Sequence, residues 1–526
     1  MSRTVFSGAV AALAVMLLWV APVTAQSLDE VVEQIREEGL ERSRVMEHLH
    51  VLTDRFGHRL TGSPSLEAAG EWTLETMTGW GLVNPQKDEW DWGRPGWANH
   101  YFSGHLVSPS RDPLVGEVLA WTPGTGGPVR AEAVRIDLPA DPTEEDLAAF
   151  EDSIRGITSG KIVLVGDGNP RSSSSALPRR YDDAELAERF RPGTSSAVPR
   201  PASRGRDVET LTSRLSAREV RTRFDAFLKD DGAAMVISPA GMDDGLIRAF
   251  ANYSFNPEQA LPSVVLRTED YQRISRLLAN GTTVELEFDI RNEVYPERTT
   301  EYNYTADIPG SDLAHEVVLI GGHIDSWHAA TGATDNAAGV SVMMEAARIL
   351  QTLGLEPRRT IRLAFWSGEE QGLYGSRAYV EKHFGTFEEP KPDFDNFAGY
   401  LNLDSGTGKI RGMTVFGPVE AAEVLHEIVR PFRDLGVVGA RETASRRLGG
   451  SDHSAFNQAG LPGVSLSQDP IDYFTTTWHT SRDTFDQILE DDLRQAAVVV
   501  AAAAYALATR DDRLPRFSAD EMPPAR

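Results

Sequence analysis

Between Leu28 and Leu82 the apolar positions repeat with a helical period: Val31, Val32, Ile35 and Leu40, then Met46, Leu49 and Leu52, then Trp72, Leu74 and Met77. This spacing predicts amphipathic helices lying against a larger body. From Pro113 to Thr299 the texture changes to short β-rich runs at 132–136, 161–165 and 234–237, each bounded by Gly, Pro or Asp, which predicts a second, smaller β-rich domain. Within it, 171–206 is rich in Ser, Pro, Arg and Ala without hydrophobic periodicity, so a mobile surface excursion without chemistry is expected there. From Thr300 the pattern becomes strand, loop, helix, repeated: strands over 317–320, 360–366 and 399–403, helices over 340–350 and 374–382. Such alternation predicts an α/β fold, with a mainly parallel mixed sheet sandwiched by helices. A long helix over 486–507, including the small-residue run 496–504, is expected to pack on that sheet.

The 526 residues exceed what one core usually supports. The expected division is 26–112 as the first part of the sheet-bearing domain, 113–299 as the β-rich insert, 300–510 as the main part of the sheet-bearing domain, and 511–526 as a tail. Residues 1–25 read as a secretory signal, with Arg3, an apolar run over 9–20 and the small-residue site Val23-Thr24-Ala25 before Gln26. The alternative is an uncleaved anchor, but the run falls short of the roughly twenty residues that span a bilayer. The expectation is a secreted or periplasmic protein with no stable membrane insertion.

Composition narrows the chemistry. The chain has no cysteine, which excludes thiol catalysis and thiolate metal sites and leaves stability to the core and to bound metal. A formal charge of -26, from 52 basic and 78 acidic residues, argues against a nucleic-acid partner. It identifies no substrate, because a local basic pocket can sit inside an acidic protein.

The polar groups cluster directly after the strands, where ligands bind in open α/β sheets. Gly321-Gly322-His323-Ile324-Asp325-Ser326 offers the His323 imidazole to a metal, with Asp325 placed to accept its other ring N–H and fix the tautomer. Asp335 follows at a helix start, where it reads either as a ligand or as a simple N-cap. Glu369 and Glu370 stand side by side between Gly368 and Gly372. Paired acids at a buried strand end repel unless a cation neutralises one and the other handles a proton. Asp404 follows the next strand, and His479 lies on a loop shortly after Gly450-Ser451-Asp452-His453. A single catalytic zinc takes three protein ligands, whereas two ions sharing a carboxylate take five. Two histidines and three carboxylates, with a glutamate to spare, match the second case. Oxygen and imidazole donors without thiolate suit zinc and would accept cobalt or manganese.

In their order, these motifs resemble the co-catalytic zinc exopeptidases that include aminopeptidase Y, glutamate carboxypeptidase and carboxypeptidase Q, most closely the last. The likeness runs from Arg59-Leu60-Thr61-Gly62-Ser63 to His479-Thr480-Ser481-Arg482-Asp483-Thr484. In the middle domain, 159–165 and 232–236 resemble the protease-associated insert of that family. The resemblance implies Asp335 as the bridging ligand, His323 and Asp404 on one ion, Glu370 and His479 on the other, Glu369 as general base and Asp325 as orienter of His323. Asp452 reads either as an orienter of His479 or as a turn residue, and His453 as a further residue near the site. Trp478 stands where some relatives carry a tyrosine or histidine that supports the oxyanion. Its indole either donates weakly or simply packs.

The expected reaction is hydrolysis of a peptide bond in dipeptides or short peptides, by a water activated between two zinc ions with Glu369 as base. The expected partner is a peptide substrate, and a homodimer is compatible with this reading. Amino-end, carboxyl-end and dipeptide specificity remain open at this level. The rivals are an aminopeptidase on longer peptides, a glutaminyl cyclase, and a receptor-like binding protein that has lost catalysis.

Overall fold

The computed structural model describes residues 27–168, 179–194 and 214–525. The expected signal at 1–25 lies outside them, as do 169–178 and 195–213 of the expected excursion.

Two eight-stranded mixed sheets flanked by helices form the molecule. In the first the spatial order is Val83–Asp91, Thr300–Ile308, Arg359–Trp366, Leu313–His323, Phe397–Asn402, Gly463–Gln468, Ile410–Phe416 and Gly439–Thr443. The four strands from Arg359–Trp366 to Gly463–Gln468 run parallel to one another, while Thr300–Ile308 and Ile410–Phe416 pair antiparallel with them at the flanks. Helices cover both faces of the centre, which is why its strands read as unbroken apolar runs such as Val318-Leu319-Ile320. One face packs on Ala338–Thr352, Glu490–Thr509 and Leu28–Glu41. The Ala/Val run over 496–504 is wholly buried, and its small side chains let these helices approach closely. A Cβ added at Gly39 would lie 2.4 Å from Val498. On the other face Trp366 and Tyr400 of the sheet pack with Tyr379, Phe384 and Phe456 from the helices Tyr374–His383 and His453–Ala459 and their ends.

The second sheet comprises Asp112–Pro113, Gly96–Ser108, Glu285–Tyr295, Val129–Ile136, Ile162–Val165, Met235–Pro239, Ser263–Leu266 and Gly116–Val118, in that spatial order. It begins at Gly96, earlier than the boundary expected at 113, because Gly96–Ser108 pairs along its length with Glu285–Tyr295. That pairing joins residues almost 200 positions apart, which local texture cannot reveal.

The described part of the expected excursion is not a free surface segment. Asp183–Arg189 is a helix capped by Asp182, and Phe190 beyond it is buried against Gly412, where an added Cβ would lie 2.6 Å from the ring. Arg180 pairs with Asp469 (3.0 Å) and Asp492 (2.9 Å), and the Asp469 carboxylate accepts the Tyr181 backbone N–H. The segment therefore docks on the first sheet, beside the loop that leads to His479.

Candidate metal centre

The parallel register sets the site. His323 lies opposite Trp366 and Gly321 opposite Asn402, so the turns that follow these three strands emerge side by side. The turn Ala333–Ala337 brings Asp335 over them. There the Asp335–Asn336 peptide is cis, and the Asn336 side chain donates to the Leu403 carbonyl (2.9 Å) and accepts the Gly339 N–H (3.1 Å). Gly339 is required by this approach, since a Cβ would stand 2.4 Å from Asn336 Oδ1. Gly368 takes a positive φ of 72° in the turn before Glu369 and packs under Trp90. His479 arrives on the loop after Tyr473–Thr477 with φ +59°, a conformation that costs a non-glycine residue about 1–3 kcal/mol and is held by the Trp478 N–H on Tyr473 O and the Thr480 N–H on Thr477 O.

Five side chains converge as two triads that share one carboxylate: His323, Asp335 and Asp404, and Asp335, Glu370 and His479, with ligand atoms within 4.8 Å of one another in each. His323 Nε2 stands 3.2 Å from Asp335 Oδ1 and 3.3 Å from Asp404 Oδ1. His479 Nε2 stands 3.2 Å from Asp335 Oδ2 and 2.9 Å from Glu370 Oε2. Asp335 thus turns one oxygen toward each triad.

The donor set fits cations. Asp335 Oδ2 and Glu370 Oε1 are buried without a hydrogen-bond partner, although buried polar atoms are normally paired. Burial pushes the Glu370 carboxyl up to about 7, with repulsion from Asp335 adding to it. Burial also pushes Glu369 well above the usual carboxylate range, against the nearby His323 and helped by Asp404. Burial would depress the His479 imidazolium, but Glu370 and Asp335 outweigh it and push its pKa up to about 10. Groups of one sign crowded in a dry site are stabilised by metal ions, and carboxylate with imidazole is a zinc donor set.

Asp325 supports the site differently from expectation. His323 Nδ1 faces the Asp325 backbone carbonyl at 3.0 Å, with the carboxylate farther at 3.6 Å. The carboxylate instead accepts the backbone N–H groups of Glu369 (3.3 Å) and Glu370 (3.2 Å) and the Thr61 hydroxyl (3.2 Å). It holds the turn of the paired glutamates. No protein group hydrogen-bonds the Glu369 carboxylate among the described residues, and it keeps contact with solvent.

Asp452 does not orient His479. Its neighbours are His323, Asp404 and Asp325; burial pushes its carboxyl up to about 7, and neither oxygen meets a donor at bonding geometry. His453 lies on the same side near Asp404, with burial holding its imidazole down at about 4. His479 Nδ1 has no partner; its ring is walled by Trp478 (4.1 Å), Phe250 (5.3 Å) and Trp327 (6.3 Å). Trp478 packs on that ring.

Three residues here were given no role in the sequence reading. Tyr473 is buried, and burial together with Asp335, Asp404 and Glu370 keeps its phenol protonated far above the usual range. Arg59, fully buried, donates to five backbone carbonyls, those of Leu52, Gly57, Ile324, Thr331 and Gly332, and so ties the segment 52–57 to the loop that leads into Asp335. Asp483 accepts the N–H groups of Thr334 (2.6 Å) and Asp335 (3.1 Å) and the Thr334 hydroxyl (2.7 Å). Its place after His479-Thr480 was the available signal. Asp483→Asn would set an amide NH2 against these N–H donors. Losses on removing such supports run about 10- to 100-fold in metal affinity. A zinc-affinity drop of that size in chelator competition, with the fold retained, is expected; unchanged affinity would show that Asp335 needs no such support.

Comparison with known proteins agrees with this architecture. The profile of Peptidase family M28 matches residues 303–504, the segment that holds both triads. Carboxypeptidase Q of Mus musculus is 31% identical over 294 residues, 54% of this chain and 60% of that protein, so in this alignment the chain spans less than two thirds of its relative. Carboxypeptidase Q of Pongo abelii is 30% identical over 492 residues, covering 91% of this chain and 88% of that one. The crystal structure of a Peptidase M28 precursor from Shewanella amazonensis superposes with a TM-score of 0.65 at 25% identity, over 93% of this chain and 99% of that one. The chain belongs to peptidase family M28.

Proposed function

We propose that this chain is an exported exopeptidase that uses two zinc ions to hydrolyse dipeptides or short peptides. The observation that carries the reading is Asp335, one carboxylate shared by two triads with an oxygen toward each. His323, Asp335 and Asp404 would hold one ion and Asp335, Glu370 and His479 the other. When bound, the ions supply Lewis acidity to a water and to the substrate carbonyl. Glu369 takes the proton of the attacking water on its carboxylate and passes it to the leaving amine. Asp325 accepts the backbone N–H groups of both glutamates, which fixes the turn that sets Glu370 in a triad and leaves Glu369 outside both. The carboxypeptidase name of the relatives favours a substrate with a free carboxyl end. Export rests on Arg3, the apolar run at 9–20 and the site at Ala25; among the described residues no helix is long and apolar enough to cross a membrane. The parallel strands Ile162–Val165 and Met235–Pro239 lie where 159–165 and 232–236 resemble the protease-associated insert, which favours that identity for the second sheet.

Prolonged chelation is expected to abolish peptidase activity, and zinc or cobalt to restore it. Full activity in protein shown metal-free by elemental analysis would overturn the reading.

A further inference from the structure

A cleft of about 1040 Å³ opens between the carboxyl ends of the second sheet's central strands and the loop that carries His479. Its walls include Phe250 and Trp478, which both pack on the His479 ring. The isolated bridge between Arg248 and Thr480 joins the two loops, and Phe250 from the second-sheet side packs on the rings of both His479 and Trp327. Phe250, Tyr253 and Phe474, three of the few large apolar side chains left exposed on the molecule, all line this cleft together with Trp478.

Two cations line it among the described residues. Arg221 is engaged, by Asp225 at 2.7 Å and by the Ser238 hydroxyl at 3.1 Å. Among the described residues no carboxylate pairs with Arg248. It donates one Nη2 bond to the Trp478 carbonyl (3.2 Å), its Nε is buried and unpaired, and its guanidinium stacks on the Trp478 ring at 5.0 Å from the centroid. Burial alone lowers its pKa, which agrees with the absence of a compensating acid. A half-buried arginine usually has an acid opposite it, because its fork of donors is costly to leave unmade. Trp478 fixes the plane of that fork one residue away from a proposed metal ligand.

We propose that Arg248 is the substrate-carboxylate recognition residue: it pairs with the free carboxyl group of a peptide whose apolar carboxyl-terminal side chain lies among Phe250, Tyr253 and Phe474. This deepens the proposed exopeptidase reading and rests on it. A guanidinium held on Trp478, the residue before His479, anchors a carboxyl end and gives nothing to a free amine.

The test compares Arg248→Met, Arg248→Lys and wild-type holoenzyme on matched dipeptides ending in phenylalanine or in phenylalaninamide, with metal content measured on each protein. For Arg248→Met a loss of about 30- to 1000-fold in kcat/KM is expected on the free acids, the scale of a desolvated charge-assisted pair, with less than about threefold change on the amides. Arg248→Lys keeps the charge without the fork and is expected to fall between. Equal losses on acid and amide would mean that Arg248 merely props the His479 loop and would overturn the assignment, as would a wild-type enzyme indifferent to amidation. Calorimetric binding of phenylalanine against phenylalaninamide to the zinc-loaded proteins reads the same contact without turnover. If wild type cleaves no peptide yet binds phenylalanine in an Arg248-dependent way, the exopeptidase reading fails and the carboxylate site stands. If the binding is independent of Arg248, the carboxylate site fails.

Discussion

Glu369→Gln is expected to keep both metal ions and the fold while losing about 100- to 10,000-fold in kcat, the contribution of a general acid–base group. The geometry argues for this separation. Glu369 lies in neither triad, its carboxylate has no hydrogen-bond partner among the described residues, and its backbone N–H is held by Asp325 whatever the side chain carries. Glutamine preserves size and polarity and removes only the proton acceptor. Its neighbour gives the control, because Glu370 Oε2 faces His479 Nε2 at 2.9 Å and belongs to the second triad. Glu370→Gln replaces a charged ligand by a neutral amide and is expected to weaken one metal site. Elemental analysis and steady-state kinetics on the two variants must therefore diverge, one metal-replete and slow, the other metal-poor. A kcat near wild type for Glu369→Gln at full metal occupancy excludes it as the base. Metal loss in that variant would exchange the roles of the two glutamates.

The distribution of what could be read from sequence follows the range of the interactions. The alternation after Thr300 was legible because strands buried on both faces read as short unbroken apolar runs, and the buried helices between them as longer runs of small and apolar residues. The observed strands Leu313–His323, Arg359–Trp366 and Phe397–Asn402 and the helix Ala338–Thr352 contain or adjoin the expected ones. The residues now gathered in the triads were legible because a parallel sheet presents its strand ends on one rim, so short motifs far apart in sequence share a level. What escaped depends on partners that no local pattern names. The start of the second sheet at Gly96 is set by a strand near residue 290. The docking of 179–194 is set by Asp469, Asp492 and the space over Gly412. Asp452 was misdirected because nearness to His479 in sequence is not nearness in space: the helix His453–Ala459 places it on the His323 side. Asp483 and Arg59 bond to backbone groups across loops, a role that composition cannot show.

Asp335→Ala is expected to have the largest effect, removing both ions at once. Each triad would drop to two donors, and among the described residues Asp335 is the carboxylate that reaches both histidines. The backbone should persist, because Asp483 and Asn336 hold the turn through main-chain groups and not through the Asp335 side chain. Its stability should respond to zinc differently. A metal that binds only the folded state stabilises it by about 2.7 kcal/mol when present at a hundred times its dissociation constant. Wild-type protein should accordingly melt higher on zinc addition, whereas Asp335→Ala should not move. The sign of the metal-free comparison also follows. Burial would raise the Asp335 carboxyl, but His323 and His479 outweigh it and hold its pKa below the ordinary value. Its ionised form therefore contributes stability above the unfolded carboxyl range that is lost as pH falls through the lowered pKa, and the alanine variant lacks that contribution at neutral pH. Metal-free Asp335→Ala should melt below metal-free wild type at pH 7, with the gap closing in strong acid. Two ions per chain in Asp335→Ala, or a zinc-induced rise in melting temperature equal to that of wild type, would show that the shared carboxylate is not what joins the two sites.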